Sequence, residues 1–404
     1  MHREAVASHS TANVAFCSAA VGCGHTRASV AVHDALRARG QLGSAAFIEA
    51  LEHAPAWFTR GYRDGYLRAV RHAPRLVGAI YDRSDVPRRD RRLLGPVLDR
   101  IEDAMLRRFR EHALFRDVDA VVSTHFLTTA VLGRMRLRGA LRCPLVTVVT
   151  DEHPHAVWLH RGCDLTCVAS AAARESAIAG GIDPARVEVT GIPIDPRFAM
   201  ADGAAVGGDP RPMVLVCGGG HGLGDMHLVM RSIAEADPDA VVVVVCGKNT
   251  ALQASMDRLA NDHRAAPGGR RAELRVLGYT NAMHQLMAAA TIMVGKPGGL
   301  STTEARAVGL PMVLLEPIPG QEERNAAMLV SVGAALAAGR PEATGRAVAA
   351  LLADPARLAS MRRAAAGSGR PRAAFDVASR VAALARGQMT GSWDGRLWAG
   401  AVLS

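Results

Sequence analysis

Short apolar runs, each closed by a turn and followed by a helical stretch, recur along this chain and constrain its fold more than any other feature. Val14 to Ala19 reads as a first strand, followed by Gly22, Gly24 and His25 and then by a helix from about Ala28 to Arg39. Val118 to Ser123, Leu145 to Thr150, Thr166 to Ser170 and Val187 to Thr190 have the composition of strands buried on both faces of a parallel sheet. The same rhythm restarts at Met213 to Cys217, which runs into Gly218-Gly-Gly-His-Gly-Leu-Gly. It continues through Ala240 to Cys246, Glu273 to Leu277, Ala290 to Val294 and Met312 to Leu315. Strands alternating with helices in both halves predict an α/β chain of two doubly wound, Rossmann-like domains facing across a cleft.

The expected boundaries are a flexible N-terminus over 1–12, a first domain over 13–199, a glycine-rich linker over 200–212 and a second domain over 213–370. A helix over 371–390 is expected to cross back to the first domain, leaving a tail over 391–404. No apolar run is long enough to cross a bilayer and the first dozen residues lack an apolar leader, so a soluble, intracellular protein is expected. The seven cysteines lie mostly within apolar segments and read as free thiols.

One stretch carries most of the chemistry. Gly295-Lys-Pro-Gly-Gly-Leu-Ser-Thr-Thr-Glu304 leads from a strand through a glycine turn into a helix, and Gly320-Gln-Glu-Glu-Arg-Asn325 follows the next strand. Gly298 and Gly299 let the backbone approach an anion, and the amides of Leu300, Ser301 and Thr302 lie where a helix start offers donors and partial positive charge. A diphosphate fits there. Glu304, one turn on, suits both hydroxyls of a ribose, and Gln321 and Asn325 are placed to close over the diphosphate or sugar. The two lysines of the chain, Lys248 and Lys296, each follow an apolar strand, and Lys248 joins the candidate donor site.

Transfer of a sugar to a hydroxyl needs a base for the departing proton and a clamp for the departing diphosphate. His25, at the turn after the first strand, and Asp151, at the end of Leu145 to Thr150, both belong at the cleft edge, and either could be the base. With His25 as base, Asp151 could orient it or carry its charge. His153, His155 and His160 fall within eight residues, but Pro154 breaks the helix an i, i+4 ligand pair needs, so no metal is expected. His155 and Trp158 read instead as an acceptor-side wall.

Between Arg60 and Arg116 stand fifteen arginines against eight acidic residues, with Trp57, Phe58, Tyr62 and Tyr66 at the front. Aromatics at near-helical spacing with arginines on other faces suit an element lying on an anionic membrane surface, the alternative being helices that pack their aromatics on the domain and leave the arginines as a solvated face. Nothing around that charge forms a nucleic-acid module.

Taken in order, Gly22-x-Gly24-His25, Thr150-Asp151 with His155, Trp158 and His160, Gly191-Ile-Pro-Ile, Gly218-Gly-Gly-His-Gly, Val245-Cys-Gly-Lys-Asn-Thr-Ala-Leu, Leu277-Gly-Tyr and Lys296-Pro-Gly-Gly through Pro319-Gly-Gln-Glu resemble one family. It is that of the monogalactosyl- and processive glucosyl-diacylglycerol synthases of glycosyltransferase family 28. The resemblance runs from Val14 to Leu352, with Cys23 where the family usually has glycine or a small polar residue. It implies a GT-B fold and an inverting, metal-independent transfer of glucose or galactose from a UDP-sugar, with no further cofactor. The acceptor it implies is diacylglycerol at the cytoplasmic face of the cell membrane. By the same resemblance Glu304 holds the ribose, Ser301 and Thr302 the diphosphate, and Gln321, Glu322 and Asn325 the sugar or diphosphate side. By the same resemblance His221, in the loop opening the second domain, approaches the diphosphate or the interdomain gap, and Gly219 of that loop belongs to the donor site. The alternatives are a polyprenyl-linked or soluble acceptor for the same enzyme class, and a nucleotide-sugar sensor without catalysis.

Overall fold

The computed structural model describes residues 11–19, 23–65, 68, 72–73, 78–79, 83–85, 95–201, 209–218, 226–267 and 270–388. Gly22, Tyr66, Gly219 and His221, most of the linker and the 391–404 tail lie outside the described residues.

Two all-parallel, six-stranded sheets form the frame. The first comprises β1 (Ala12–Ser18), β2 (Leu42–Glu49), β3 (Ala120–Ser123), β4 (Leu145–Val148), β5 (Leu165–Val168) and β6 (Val187–Val189), in the order β2-β1-β3-β4-β5-β6. The second comprises β7 (Met213–Cys217), β8 (Val241–Val245), β9 (Glu273–Leu277), β10 (Ile292–Gly295), β11 (Met312–Leu315) and β12 (Ala335–Gly339), in the order β12-β11-β10-β7-β8-β9. The central strands follow from their residues. β8 is five consecutive valines, and β-branched side chains fill both faces of a covered parallel sheet with little loss of rotamer freedom.

Two strands had no counterpart in the sequence pattern: β2 and β12. Both are edge strands with mixed burial, and their sequences, LGSAAFIE and ALAAG, lack the continuous apolar run that marks a strand covered on both sides.

In each sheet the strand order reverses direction once. The reversal falls between β1 and β3 in the first sheet and between β7 and β10 in the second, and the crevices at the C-terminal ends of those strands are where doubly wound sheets bind ligands. His25 follows β1, and Gly298 follows β10.

The helix Ala373–Ala385 returns to the first domain. Its Ala374, Val377, Ala378, Val381 and Ala382 are fully buried in one cluster with Val14, Phe16, Val32 and Leu36, and Arg380 pairs with Glu188 on β6 at 2.6 Å. Gly191 makes the crossing possible. It adopts φ +86°, and a Cβ there would stand 2.8 Å from that of Arg370.

The six cysteines with described side chains are free, with Cys17, Cys163, Cys167 and Cys246 buried and Cys143 and Cys217 partly so. Because the last helix is part of the first domain's core, Val377→Asp should cost about 3–5 kcal/mol by burying an unpaired charge. Thermal unfolding followed by circular dichroism checks this, and a melt like that of the parent protein would contradict the packing.

Candidate active site

The backbone around His25 fixes which ring nitrogen carries the proton. Nδ1 lies 2.8 Å from the carbonyl oxygen of Thr124 and 2.9 Å from the hydroxyl of Thr150, the residues that follow β3 and β4. A carbonyl only accepts, so Nδ1 is the protonated nitrogen and Nε2 keeps its lone pair. The Thr124 hydroxyl donates to the carbonyl of His25 at 2.9 Å and lies 2.8 Å from Ser29 Oγ, which locks the turn. Burial lowers the imidazole to about 4, only partly opposed by the Thr124 carbonyl. At neutral pH His25 is therefore an uncharged base.

The other histidines of this edge have the opposite tautomer. Nδ1 of His125, His155 and His160 accepts the backbone N–H of Leu127, Val157 and Gly162 at 3.1, 3.2 and 3.1 Å. Each is a buried cap of a turn. His155 is thus support rather than an acceptor-facing wall, and its Nε2–H meets Ser84 Oγ at 3.2 Å. Trp158 is also buried, with its indole N–H donating to Asp151 Oδ2 at 2.8 Å.

Asp151 does not orient His25. Its Oδ2 accepts from Trp158, and its Oδ1 accepts from the side-chain amide of Gln321, in the second domain. Burial raises this carboxyl to about 6, against the pull of the Trp158 bond and the charge of Arg324.

Opposite His25 stands the helix Gly299–Ala307, capped by Gly298. A Cβ on Gly299 would come within 3.1 Å of the Thr150 carbonyl oxygen, so this glycine lets the second helix start approach the first domain's backbone closely, while a Cβ on Gly24 would face the Leu300 side chain 4.0 Å away. Glu304, 4% exposed, faces Arg27 of the first domain, with Oε1 3.1 Å from Nη2. Burial raises its carboxyl to about 7 although Arg27 pulls the other way.

The structure revises three of the sequence expectations for this helix and the next. Thr302 offers no free donor: its amide bonds to the Gly298 carbonyl at 3.0 Å and its hydroxyl to that of Gly299 at 3.0 Å. The amides left for an anion are those of the first turn, including Leu300 and Ser301. Asn325 is buried beneath the loop and donates to the Pro297 carbonyl at 2.9 Å, so it shapes the turn and does not reach into the cleft. Glu322 accepts from the Ile318 amide at 2.8 Å, and burial raises its carboxyl against that bond and the nearby Lys296. Lys248 stands over the ring of Tyr279 at 5.4 Å, on the far side of β7 from the β10 clamp.

Sequence reasoning did not find the polar seam between the domains. Besides Arg27–Glu304 and Gln321–Asp151, it contains a buried pair between Arg306 and Glu152, and Arg324 donating to Asp85 at 2.9 Å. Arg27, Arg306 and Arg324 were hidden among the many arginines of a chain with net charge +10.

The aromatic segment divides. Phe58 and Tyr62 stack at 5.7 Å and pack against the first domain's core, whereas Trp57 is 65% exposed. Beyond them the helix Gly95–Met105 turns its acids inward, where Asp99, Glu102 and Asp103 all pair with the buried Arg134 at 2.8 to 3.0 Å. Its Val97, Leu98 and Ile101 point outward, each nearly half exposed. Among the described residues no helix is long and apolar enough to cross a membrane.

The two candidate bases separate in pH. If the neutral imidazole of His25 takes the proton, kcat with both substrates saturating should hold from pH 8 down to about 5 and fall as pH approaches 4, where the base becomes protonated. An acid limb near 6 would assign the role to Asp151.

Two family models match the chain in succession: monogalactosyldiacylglycerol (MGDG) synthase over residues 25–194 and the glycosyltransferase family 28 C-terminal domain over residues 213–377. Among similar curated proteins are processive diacylglycerol beta-glucosyltransferases of Bacillus subtilis, 34% identical over 259 residues, and Bacillus mycoides, 31% identical over 272 residues. The matches cover 61% and 66% of this chain and 63% and 68% of those proteins. Similar solved structures include the S. aureus MnaA–UDP complex, with TM-score 0.59 at 12% identity over 95% of this chain and 99% of that one. Acinetobacter baumannii MurG gives TM-score 0.55 at 16% identity over 92% and 99%, so the fold is GT-B. Two paired sheets with this site at their reversal points, and two family models laid end to end across them, show that the chain belongs to the monogalactosyldiacylglycerol synthase and processive diacylglycerol glucosyltransferase group of glycosyltransferase family 28.

Proposed function

We propose that this protein transfers a hexose, glucose or galactose, from a UDP-sugar to diacylglycerol at the cytoplasmic face of the membrane, with inversion and without a metal ion. The observation that carries the reading is the imidazole of His25, locked with Nε2 as its free base atom and set against the first turn of the Gly299–Ala307 helix.

In this mechanism the acceptor hydroxyl loses its proton to His25 Nε2 as its oxygen bonds to the anomeric carbon. The bond from that carbon to the diphosphate breaks on the opposite face, and its electron pair leaves with UDP, which inverts the centre. The amides of Leu300 and Ser301 and the helix start meet the growing charge on the diphosphate, while Glu304 accepts the ribose hydroxyls. Asp151, held by Trp158 and Gln321, lines the same gap as a carboxylate at neutral pH and favours positive charge developing at the sugar.

The choice of a lipid over a soluble acceptor rests on the helix Gly95–Met105. A helix in contact only with water would gain nothing by exposing Val97, Leu98 and Ile101 while turning three acids inward to Arg134. With Trp57 exposed and Arg100, Arg107 and Arg108 close by in sequence, that face suits an anionic bilayer.

Incubation with UDP-glucose or UDP-galactose and vesicles of diacylglycerol and anionic phospholipid, followed by mass spectrometry, should yield diacylglycerol carrying one or more hexoses. Protein that binds UDP but leaves the lipid unchanged with either donor would overturn the lipid reading. The double change Trp57→Glu, Ile101→Glu should cut vesicle binding at least tenfold and leave UDP affinity unaltered; unchanged vesicle sedimentation would remove this face from the account.

A further inference from the structure

The ion pair of Arg27 with Glu304 joins the domains at the carboxylate assigned to the donor ribose, and it raises the question of where the arginine goes when that carboxylate is taken. Arg27 stands two residues after His25, one turn into the helix Cys23–Ala38. Its side chain is half exposed while that of Glu304 is 6% exposed, so the arginine is the partner free to move. Gly24, at the start of that helix, faces Leu300. The starts of two helices, one from each domain, therefore converge on one gap, with a guanidinium beside it.

The spacing along the Gly299–Ala307 helix decides the rest. Leu300 and Ser301 precede Glu304 by four and three residues, which puts them on the same helix face about 5–6 Å away. A ribose that takes up the Glu304 carboxylate must displace Arg27 from Oε1. The nearest incoming negative charge is then the diphosphate at the amides of Leu300 and Ser301, within reach of a long side chain whose fork of N–H donors matches phosphate oxygens.

We propose that Arg27 is a donor-binding residue that rests on Glu304 while the cleft is empty and moves to the diphosphate when the ribose takes that carboxylate. This rests on the donor reading above and adds to it that the acceptor domain supplies a cation to the leaving group. As the acceptor oxygen bonds to the anomeric carbon, its proton passes to His25 Nε2. The electron pair of the breaking bond leaves on the diphosphate, where Arg27 meets the added charge. Base and leaving-group cation thus come from one turn of one helix, so the sugar-transfer site is complete only when the domains are closed on donor.

Titration calorimetry with UDP and with uridine separates the two contacts, because uridine has the ribose and lacks the phosphates. In Arg27→Ala, uridine should bind at least as tightly as in the parent protein, since its competitor for Glu304 is gone. The advantage of UDP over uridine should fall about tenfold, the worth of one charge-assisted contact. Arg27→Lys should retain part of that advantage. Uridine binding by each variant also reports an intact clamp. The same UDP-to-uridine ratio in Arg27→Ala as in the parent protein would overturn the role of Arg27 alone. A parent protein that binds neither nucleotide would overturn the donor reading, and the role of Arg27 with it.

Discussion

Everything at the cleft depends on the close approach of two backbones at Gly299, beneath the Thr150 carbonyl, with Gly24 facing the Leu300 side chain beside it. A Cβ on Gly299, 3.1 Å from the Thr150 carbonyl oxygen, would force that contact open by a few tenths of an ångström. That contact sets the first turn of the second domain's helix, which presents unpaired amides, beside Thr150, whose hydroxyl holds the imidazole of His25. A base and an anion site on separate domains act on one molecule only if the gap between them matches that molecule.

Closing two domains over polar groups takes those groups out of water, and that cost shapes the seam. Glu304, Asp151, Glu152 and Arg306 are each less than a tenth exposed, and each finds a partner across the interface: Arg27, Gln321, and one another. Burial raises both Glu304 and Asp151 well above ordinary carboxylates and lowers Arg306 to about 10. Breaking such a pair without replacing it strands a buried charge, so a ligand that enters must substitute for the contacts it displaces. A ribose on Glu304 and a diphosphate beside Arg27 are substitutes of the right kind.

Much of the architecture was legible because a valine-rich strand covered on both faces, such as β8, leaves a continuous apolar run that no solvated segment shares. β2 and β12 left none, since an edge strand with one neighbour tolerates Gly, Ala and Ser. Glu304 and His25 stood out by their place after a strand and a glycine turn. What the chain order could not reveal was pairing across the cleft: Gln321 reaches Asp151 from 170 positions away, and Arg27 reaches Glu304 from 277. Nor could spacing tell that Phe58 and Tyr62 face the core while Trp57 does not, because that depends on how a short helix is set against Leu106 and Phe109.

The central claim is a division of labour, with Glu304 capturing the nucleotide and His25 removing the acceptor proton. Its most direct test is to measure UDP affinity and single-turnover sugar transfer side by side in Glu304→Ala and His25→Ala. Glu304→Ala should weaken UDP binding about tenfold or more by removing the acceptor of two ribose hydroxyls. His25→Ala should bind UDP as the parent protein does while transfer slows by about 10²- to 10⁴-fold. Equal UDP affinity in Glu304→Ala, or undiminished transfer in His25→Ala, would contradict the account.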